Sequence, residues 1–142
     1  MPTSTERYAV DTSVAVAALD AAHGAHDVCR LAVQRRQPGL AGHAAFETLS
    51  VLTRMPGQLS IDALDASDIV GQVFPTVYWL DAKASAKLLS RLGAIGITGG
   101  AIYDALVGEA ARMSGCVLLT RDMRARRTYD LLGVHYELLG LD

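Results

Sequence analysis

Short apolar segments with strand character alternate along this chain with segments of helical periodicity, and this alternation limits the possible folds more than any other feature. We predict strands at 7–11, 40–41, 76–80, 116–120 and 134–138. Each is a brief apolar run, which is typical of parallel strands covered on both faces. The pattern therefore predicts an α/β fold, a three-layer sandwich with a short, mostly parallel central sheet flanked by helices.

Start and stop signals delimit the helices between these strands. We predict helices over 14–19, 26–36, 43–55, 61–74, 82–92, 101–114 and 123–132. Capping side chains are expected to begin the first, fourth and fifth of them, namely Thr12 and Ser13, Ser60, and Asp81. Glycine is expected to follow the last turn of three of them, at Gly93, Gly115 and Gly133. Because a helical pair over 43–74 stands where one crossover helix would do, helix content should exceed strand content.

Size and composition narrow the alternatives. A chain of 142 residues with 51% hydrophobic and 20% charged residues can bury one core, so we expect a single domain over 1–142 and exclude disorder. Cys29 and Cys116 have neither disulfide nor metal-ligand spacing, which favours two buried thiols in a reducing cytosol. Residues 1–6 lack an apolar signal core, and no apolar run reaches the roughly 18 residues of a membrane span. We therefore expect a cytoplasmic protein with no membrane contact.

Four acidic residues are predicted to lie at one edge of the sheet. Asp11 ends the first strand, Asp122 follows the fourth, Asp104 lies in the first turn of its helix, and Glu47 lies one turn into its helix. Right-handed crossovers bring the carboxyl ends of parallel strands and the helix starts that follow them to one edge. Ligands bind along that edge in sheets of this kind.

Each of these acids alone also fits a helix cap, a helix-dipole partner or a solvated face. Together they would repel one another, because two charges about 4 Å apart cost several kcal/mol at an effective dielectric near 20. Such a group raises its pKa values or binds a cation, and oxygen ligands suit Mg²⁺ or Mn²⁺. Neighbouring hydroxyls are candidates to hold the carboxylates in place, namely Thr12, Ser13 and Thr120.

Four arginines lie within seven residues, beside the last of these acids: Arg121, Arg124, Arg126 and Arg127. Arginine forks suit phosphate, so the cluster is a candidate RNA-binding patch. A solvated helix face paired with acids is the alternative, although only Asp122 and Asp130 are acidic nearby. The formal net charge of −2 is poor evidence for a general nucleic-acid binder and leaves a local patch possible.

Four short motifs, in order and on the predicted strand and helix ends, give the chain a family resemblance. They are Val-Asp-Thr-Ser-Val over 10–14, a mid-chain helical Glu47, Tyr-Asp-Ala over 103–105 and Leu-Thr-Arg-Asp over 119–122. The set resembles a PIN domain across nearly the whole chain. The chain length, the helical pair and the tail Arg-Thr-Tyr-Asp-Leu-Leu-Gly-Val over 127–134 resemble the VapC toxins of bacterial toxin–antitoxin pairs.

This resemblance implies a metal-dependent ribonuclease. By position, Asp11, Glu47, Asp104 and Asp122 match the acids that hold one or two Mg²⁺ or Mn²⁺ ions in the family, with metal-bound water attacking the phosphodiester. The fourth acid is the least uniform in the family, so Asp122 is expected to be a weaker or water-mediated ligand. The resemblance also implies a homodimer, a cognate VapB-like antitoxin that inhibits it, and structured RNA substrates such as transfer RNA.

Two other functions stay open at this point. A non-catalytic PIN-like module that binds RNA or protein would be signalled by loss of the acids, and all four are present. Phosphoryl transfer through an aspartyl nucleophile would need a second acid two residues after Asp11, where Ser13 stands, and a lysine near the later strand ends. The chain has only Lys83 and Lys87.

Overall fold

The computed structural model describes residues 6–54 and 61–140, and within them five short strands form one sheet. They are β1 (Arg7–Val10), β2 (Gly39–Ala41), β3 (Val77–Tyr78), β4 (Cys116–Thr120) and β5 (Tyr136–Leu138). Their order is β3-β2-β1-β4-β5, and every neighbouring pair is parallel. The predicted α/β class is confirmed, and the described sheet is parallel throughout.

Helices make up most of the regular structure, as predicted. They are α1 (Thr12–Leu19), α2 (His26–Arg36), α3 (Ala44–Arg54), α4 (Ala63–Val73), α5 (Ala82–Arg91), α6 (Ala101–Met113) and α7 (Arg126–Leu132). A short 3₁₀ turn, Met123–Ala125, precedes α7 inside the single helix predicted over 123–132. The predicted end of the third helix at Met55 lies outside the described residues.

The sheet separates two apolar cores because successive residues of a strand face opposite sides. In β1, Ala9 packs into one core and Val10 into the other, and in β4 the same holds for Leu118 and Leu119. Buried residues of α1, α2 and α4 fill the core on the Val10 side. Those of α5, α6 and α7 fill the other. The arrangement is the predicted three-layer sandwich.

Two helix starts differ from prediction. The side chain that caps α1 is Asp11, which accepts a hydrogen bond from the backbone N–H of Val14, so Thr12 and Ser13 are already helical or engaged elsewhere. Helix α4 begins at Ala63 and its capping side chain is Asp62, which accepts from the N–H of Leu64 at 2.9 Å. The predicted cap, Ser60, lies outside the described residues. Aspartate competes well with serine at this position, so the sequence allows either.

Helix α5 is capped by Leu92 and followed by Gly93, as predicted, but the left-handed glycine of the turn that follows is Gly96. Helix α5 ends at Arg91, and the chain turns at Gly96, whose φ is 78°. The N–H of Ile97 bonds to the carbonyl of Leu92, and Ile97 is fully buried. The turn after α5 thus includes Gly93 and extends to Gly96, directly before the buried Ile97. The glycines after α6 and α7 were predicted correctly, since Gly115 and Gly133 have φ of 69° and 77°.

The predicted strand over 76–80 is shorter in the structure. Only Val77 and Tyr78 pair with β2, because β2 itself is three residues long and β3 is an edge strand among the residues that the structure describes. The indole of Trp79 consequently extends from the end of the strand and is 56% exposed. Among the described helices, none combines the length and apolarity needed to cross a bilayer. Cys29 and Cys116 are buried free thiols, as expected.

Candidate active site

The strand order creates a crevice at the carboxyl edge of the sheet. From β1 the chain moves outward through β2 to β3, and then returns to the other side of β1 at β4. Ligands bind at such a reversal in parallel sheets. Asp11 directly follows β1, and Asp122 follows β4 after one residue.

The remaining two predicted acids reach the same edge from helices. Glu47 and Asp104 lie in the first turns of α3 and α6. The charges of Asp11, Glu47 and Asp122 all act on the carboxyl group of Asp104, so the four side chains share one electrostatic environment. We call this group the carboxylate edge.

Asp11 is the most firmly held of the four acids. Its side chain is 4% exposed, and its Oδ1 accepts from the Ser13 hydroxyl at 2.5 Å. Its Oδ2 accepts from the hydroxyls of Thr120 and Tyr129, the latter at 3.0 Å. Burial raises the pKa of Asp11, and these donated hydrogen bonds oppose that rise. The carboxylate therefore has a fixed orientation at the end of β1.

The three predicted hydroxyls link the loops that carry the acids. Besides donating to Asp11, the Thr120 hydroxyl accepts from the N–H of Asp122 at 3.0 Å, and the Ser13 hydroxyl accepts from the N–H of Arg121 at 2.8 Å. Thr12 donates to Oε1 of Glu47 at 3.4 Å. These contacts connect the ends of β1 and β4 with α3.

Asp104 is the one acid of the carboxylate edge that has no hydrogen-bond or ion-pair partner among the described residues. Its side chain is nevertheless only partly exposed. Burial raises its pKa from 3.8 to about 6, and the neighbouring charges of Asp122 and Glu47 add to that rise. Burial likewise raises the pKa of Glu47, opposed by His43. A charged Asp104 is thus costly unless a cation reaches the edge.

The carboxylate edge fits a hard divalent cation by its chemistry. Four carboxylates and adjacent hydroxyls are the donors that Mg²⁺ and Mn²⁺ prefer, and the unpaired Asp104 is available to one. In the described part of the chain, however, no three acidic, histidine or cysteine side chains converge closely enough to ligate a single ion. The residue types therefore fit a cation, but the side chains lie too far apart in this structure to surround a single ion.

Two of the four acids also cap helical segments, as the alternative interpretation from the sequence predicted. Asp11 caps α1, and Oδ1 of Asp122 accepts from the N–H of Arg124 at 3.0 Å at the start of the 3₁₀ turn. A cap uses one lone pair of a carboxylate and leaves others for a ligand. Capping and a role at the edge are compatible for both residues.

Tyr129 is a site residue that the sequence did not reveal. Its ring is 1% exposed, and its hydroxyl reaches Asp11 because α7 packs closely on α6 at Gly108. A Cβ at Gly108 would lie 2.9 Å from Cδ1 of that ring. Burial and the charge of Asp11 raise the pKa of Tyr129, which keeps it a donor. A tyrosine in a short amphipathic helix looks like core, so no sequence signal separates it from its neighbours.

Two of the four arginines have defined partners near the edge. Arg121 donates from Nη1 to the carbonyl of Leu139 at 2.7 Å and so holds the segment after β5. Arg124 approaches Oδ1 of Asp122 at 3.6 Å, yet its side chain is 93% exposed. The ion pair with Asp122 is therefore loose, and the Arg124 side chain faces solvent.

The other two arginines lie further along α7. Arg126 donates from Nε to the Tyr136 hydroxyl at 3.5 Å, and Arg127 is exposed with its Nη2 directed toward Gly96. Each of the four arginines therefore lies against a different part of the chain.

Comparisons of the sequence with known proteins agree on one family. The sequence model of the PIN domain matches residues 8–131. Ribonuclease VapC27 of Mycobacterium tuberculosis is 42% identical over 127 residues, which cover 89% of this chain and 93% of that protein. Ribonuclease VapC40 of the same organism is 42% identical over 132 residues, covering 92% and 98%.

Solved structures share the fold at lower identity. Mycobacterium tuberculosis VapC20, described as a Sarcin-Ricin loop cleaving toxin, has a TM-score of 0.65 at 20% identity, over 85% of this chain and 94% of that one. Rickettsia felis VapBC2, solved bound to a DNA fragment from its promoter, has a TM-score of 0.64 at 15% identity, over 92% and 97%. With the sequence match over residues 8–131 and two relatives at 42% identity, this chain belongs to the PIN-domain family and, within it, to the VapC proteins.

Proposed function

We propose that this chain is a metal-dependent endoribonuclease of the VapC type, which hydrolyses RNA phosphodiester bonds at the carboxylate edge. Asp11, Glu47, Asp104 and Asp122 would hold Mg²⁺ or Mn²⁺. The ribonuclease names of the relatives at 42% identity support the activity. The observation that carries the proposal is Asp104, an unpaired carboxylate among three others with its pKa raised to about 6.

The chain's own residues account for the arrangement of this site. Thr120 and Tyr129 hold one oxygen of Asp11, while Thr12 orients Glu47. Asp104 keeps both oxygens free of protein partners among the described residues. An ion bound there would supply Lewis acidity, lower the pKa of water and offset the negative charge that otherwise repels an RNA phosphate.

The arginines would then position the RNA backbone. Arg124 is almost fully exposed and acts electrostatically on Asp104, so it lies where a phosphate would approach. Arg126 and Arg127 extend this positive surface along α7. Arg121 is engaged with Leu139 and would act mainly through its charge.

We further propose that the protein acts in the cytoplasm on structured RNA such as transfer RNA, as a homodimer, and is inhibited by a VapB-like antitoxin. The Rickettsia felis relative was solved as a VapBC complex, and the Mycobacterium tuberculosis VapC20 is named for cleaving the Sarcin-Ricin loop. The first of these supports an antitoxin partner, and the second supports a structured RNA target.

A pair of aspartate variants tests the proposal. Asp104 and Asp65 each lie in the first turn of a helix, but only Asp104 lies at the carboxylate edge. We expect the wild type and Asp65→Asn to cleave total RNA with Mg²⁺ or Mn²⁺, and Asp104→Asn or added EDTA to abolish cleavage. Wild-type cleavage rates in EDTA, or in Asp104→Asn with metal, would refute the metal-dependent site.

A further inference from the structure

Four aromatic rings from three separate segments form one continuous row on the surface. The ring of Tyr103 stacks on that of His43, with centroids 5.4 Å apart and planes 22° apart. The ring centroids of His43 and Phe46 lie 6.3 Å apart, and those of Phe46 and Trp79 lie 5.6 Å apart. We call these four residues the aromatic row.

The aromatic row is exposed although its rings touch one another. Phe46, Trp79 and Tyr103 are 60%, 56% and 53% exposed. His43, Phe46 and Trp79 also line a pocket of about 150 Å³. Isolated apolar side chains on a surface need no explanation, whereas a contiguous group marks an interaction site. The row is such a group.

The aromatic row borders the carboxylate edge. Phe46 directly precedes Glu47 in α3, and Tyr103 directly precedes Asp104 in α6. Consecutive helical residues point about 100° apart, so each helix presents an acid and, beside it, a ring. Arg124 acts on Asp104 as well, which places a positive charge at the same edge.

We propose that the aromatic row is a stacking platform for nucleobases of single-stranded RNA whose backbone lies at the carboxylate edge, an inference that rests on the proposed function. A base is joined to its phosphate through a single ribose. A phosphate at Asp104 therefore brings an adjoining base to the rings next to it. Proteins that bind single strands stack unpaired bases on aromatic faces, and every base has such a face.

The proposal assigns the rings a role in holding substrate, distinct from that of the acids. Stacking tolerates any base, so the row would favour unpaired over paired nucleotides without reading a sequence. Tyr103 and His43 stack on each other at one end of the row, and Phe46 and Trp79 continue it. The platform would thus accept successive bases of a loop that is splayed open.

The fluorescence of Trp79 provides a direct test, because it is the only tryptophan in the chain. The Asp104→Asn variant, which should not cleave, is titrated with a short single-stranded RNA and with an abasic ribose-phosphate strand of equal length and charge. We expect RNA to quench the indole emission and the abasic strand to leave it unchanged. Equal effects of both strands would overturn the proposal in favour of charge alone.

Substitutions at Phe46 separate stacking from simple apolar contact. In the same background, Phe46→Leu should weaken RNA binding about tenfold and Phe46→Tyr should preserve it, because stacking on one ring contributes about that factor per base. Leu89→Ala, at a site 76% exposed on α5, is the control expected to leave affinity unchanged. Unaltered affinity in Phe46→Leu would also overturn the proposal.

A second copy of the chain is the competing occupant. If Phe46→Leu converted a dimer to a monomer in sedimentation while RNA affinity stayed the same, the aromatic row would be a subunit interface and the proposal would be wrong. Failure of the proposed function looks different. Base-dependent quenching of Trp79 without cleavage by the wild type would support the platform and refute the nuclease, whereas cleavage without quenching would do the reverse.

Discussion

Helix α6 carries two carboxylates, five residues apart, that the protein treats in opposite ways. Glu109 is 3% exposed and accepts two hydrogen bonds from Arg112, at 2.7 and 2.9 Å. It also forms an ion pair with Arg91 at 3.7 Å. Its pKa is lowered, chiefly by the hydrogen bonds from Arg112. Asp104 is less buried, has no such partner in the described residues, and has its pKa raised to about 6.

The two carboxylates differ in pairing more than in burial, and the difference in pairing accounts for the opposite directions of their pKa shifts. A buried charge is tolerable when the fold supplies its counter-charge and hydrogen bonds. Glu109 has both, so its role ends within the protein. Asp104 has neither among the described residues, so its charge is stabilised less, and it binds a proton more readily unless a cation approaches.

The largest expected effect is on RNA cleavage. Asp104→Asn should reduce the rate of cleavage by at least about 100-fold, because loss of a metal-binding group exceeds the 10- to 100-fold typical of its supporting contacts. Glu109→Gln should cleave at close to the wild-type rate once corrected for folded protein. Cleavage of a labelled RNA under single-turnover conditions measures both.

Metal binding should distinguish the same two variants in a thermal melt. An ion that binds only the folded state at about 100 times its dissociation constant stabilises by about 2.7 kcal/mol. We expect Mn²⁺ to raise the melting temperature of the wild type and of Glu109→Gln, and to raise that of Asp104→Asn much less. A wild type whose melting temperature ignores Mn²⁺ and EDTA alike would argue against an ion at the edge.

Without metal, Glu109→Gln should be the variant that loses stability, whereas Asp104→Asn should not. Glu109→Gln removes the charge from a buried bidentate pair and should lower the free energy of unfolding by about 2 kcal/mol, below the largest values for buried pairs because Arg112 can reach water. Glu137→Gln is the matched control, since its pair with Arg36 at 2.9 Å is solvent-exposed and should contribute under about 1 kcal/mol. Denaturant midpoints provide the comparison, and equal losses in the two variants would contradict it.

The smallest expected effect is the pH dependence of these stabilities. The folded-state pKa of Asp104 is raised from 3.8 to about 6, so its charge destabilises the metal-free fold above about pH 6 and not below its unfolded pKa. Asp104→Asn in EDTA should therefore gain on the order of 1 kcal/mol at about pH 8, after allowance for solvent screening, and nothing near pH 4.

The pH effect at Glu109 has the opposite sign. Its lowered pKa means that the stability it contributes is present above 4.5 and is lost as pH falls through the folded-state pKa. The loss in free energy of unfolding caused by Glu109→Gln should thus become smaller in acid. At the same pH, the stability gained by Asp104→Asn has already vanished. Parallel pH curves for the two variants would show that pairing does not set them apart.

Sequence patterns predicted the parts of this molecule that depend on local periodicity. The strands around Ala9 and Leu118 were recognisable because their apolar runs are too short for a helix and lie between predicted helices. Asp11 and Asp122 could be assigned to one edge because they follow strands that prove to be parallel neighbours. Parallel topology alone brings such residues together.

What the sequence did not predict depends on packing across the chain. The hydrogen bond from Tyr129 to Asp11 joins residues 118 positions apart, and no local pattern encodes it. The cap of α1 was assigned to Thr12 and Ser13, although both hydroxyls instead serve the carboxylates. In the turn after α5, the left-handed residue is Gly96, directly before the buried Ile97, and no local pattern distinguished it from Gly93.

The close approach of α7 to α6 at Gly108 has a genetic consequence. Any side chain there would press on the ring of Tyr129 and on Cγ2 of Val134, 3.1 Å from a Cβ, and so move the hydroxyl that steadies Asp11. A screen for inactive alleles should therefore recover Gly108 substitutions beside those of the acids. An apparently silent glycine, carrying no functional group, would then map as part of the catalytic phenotype.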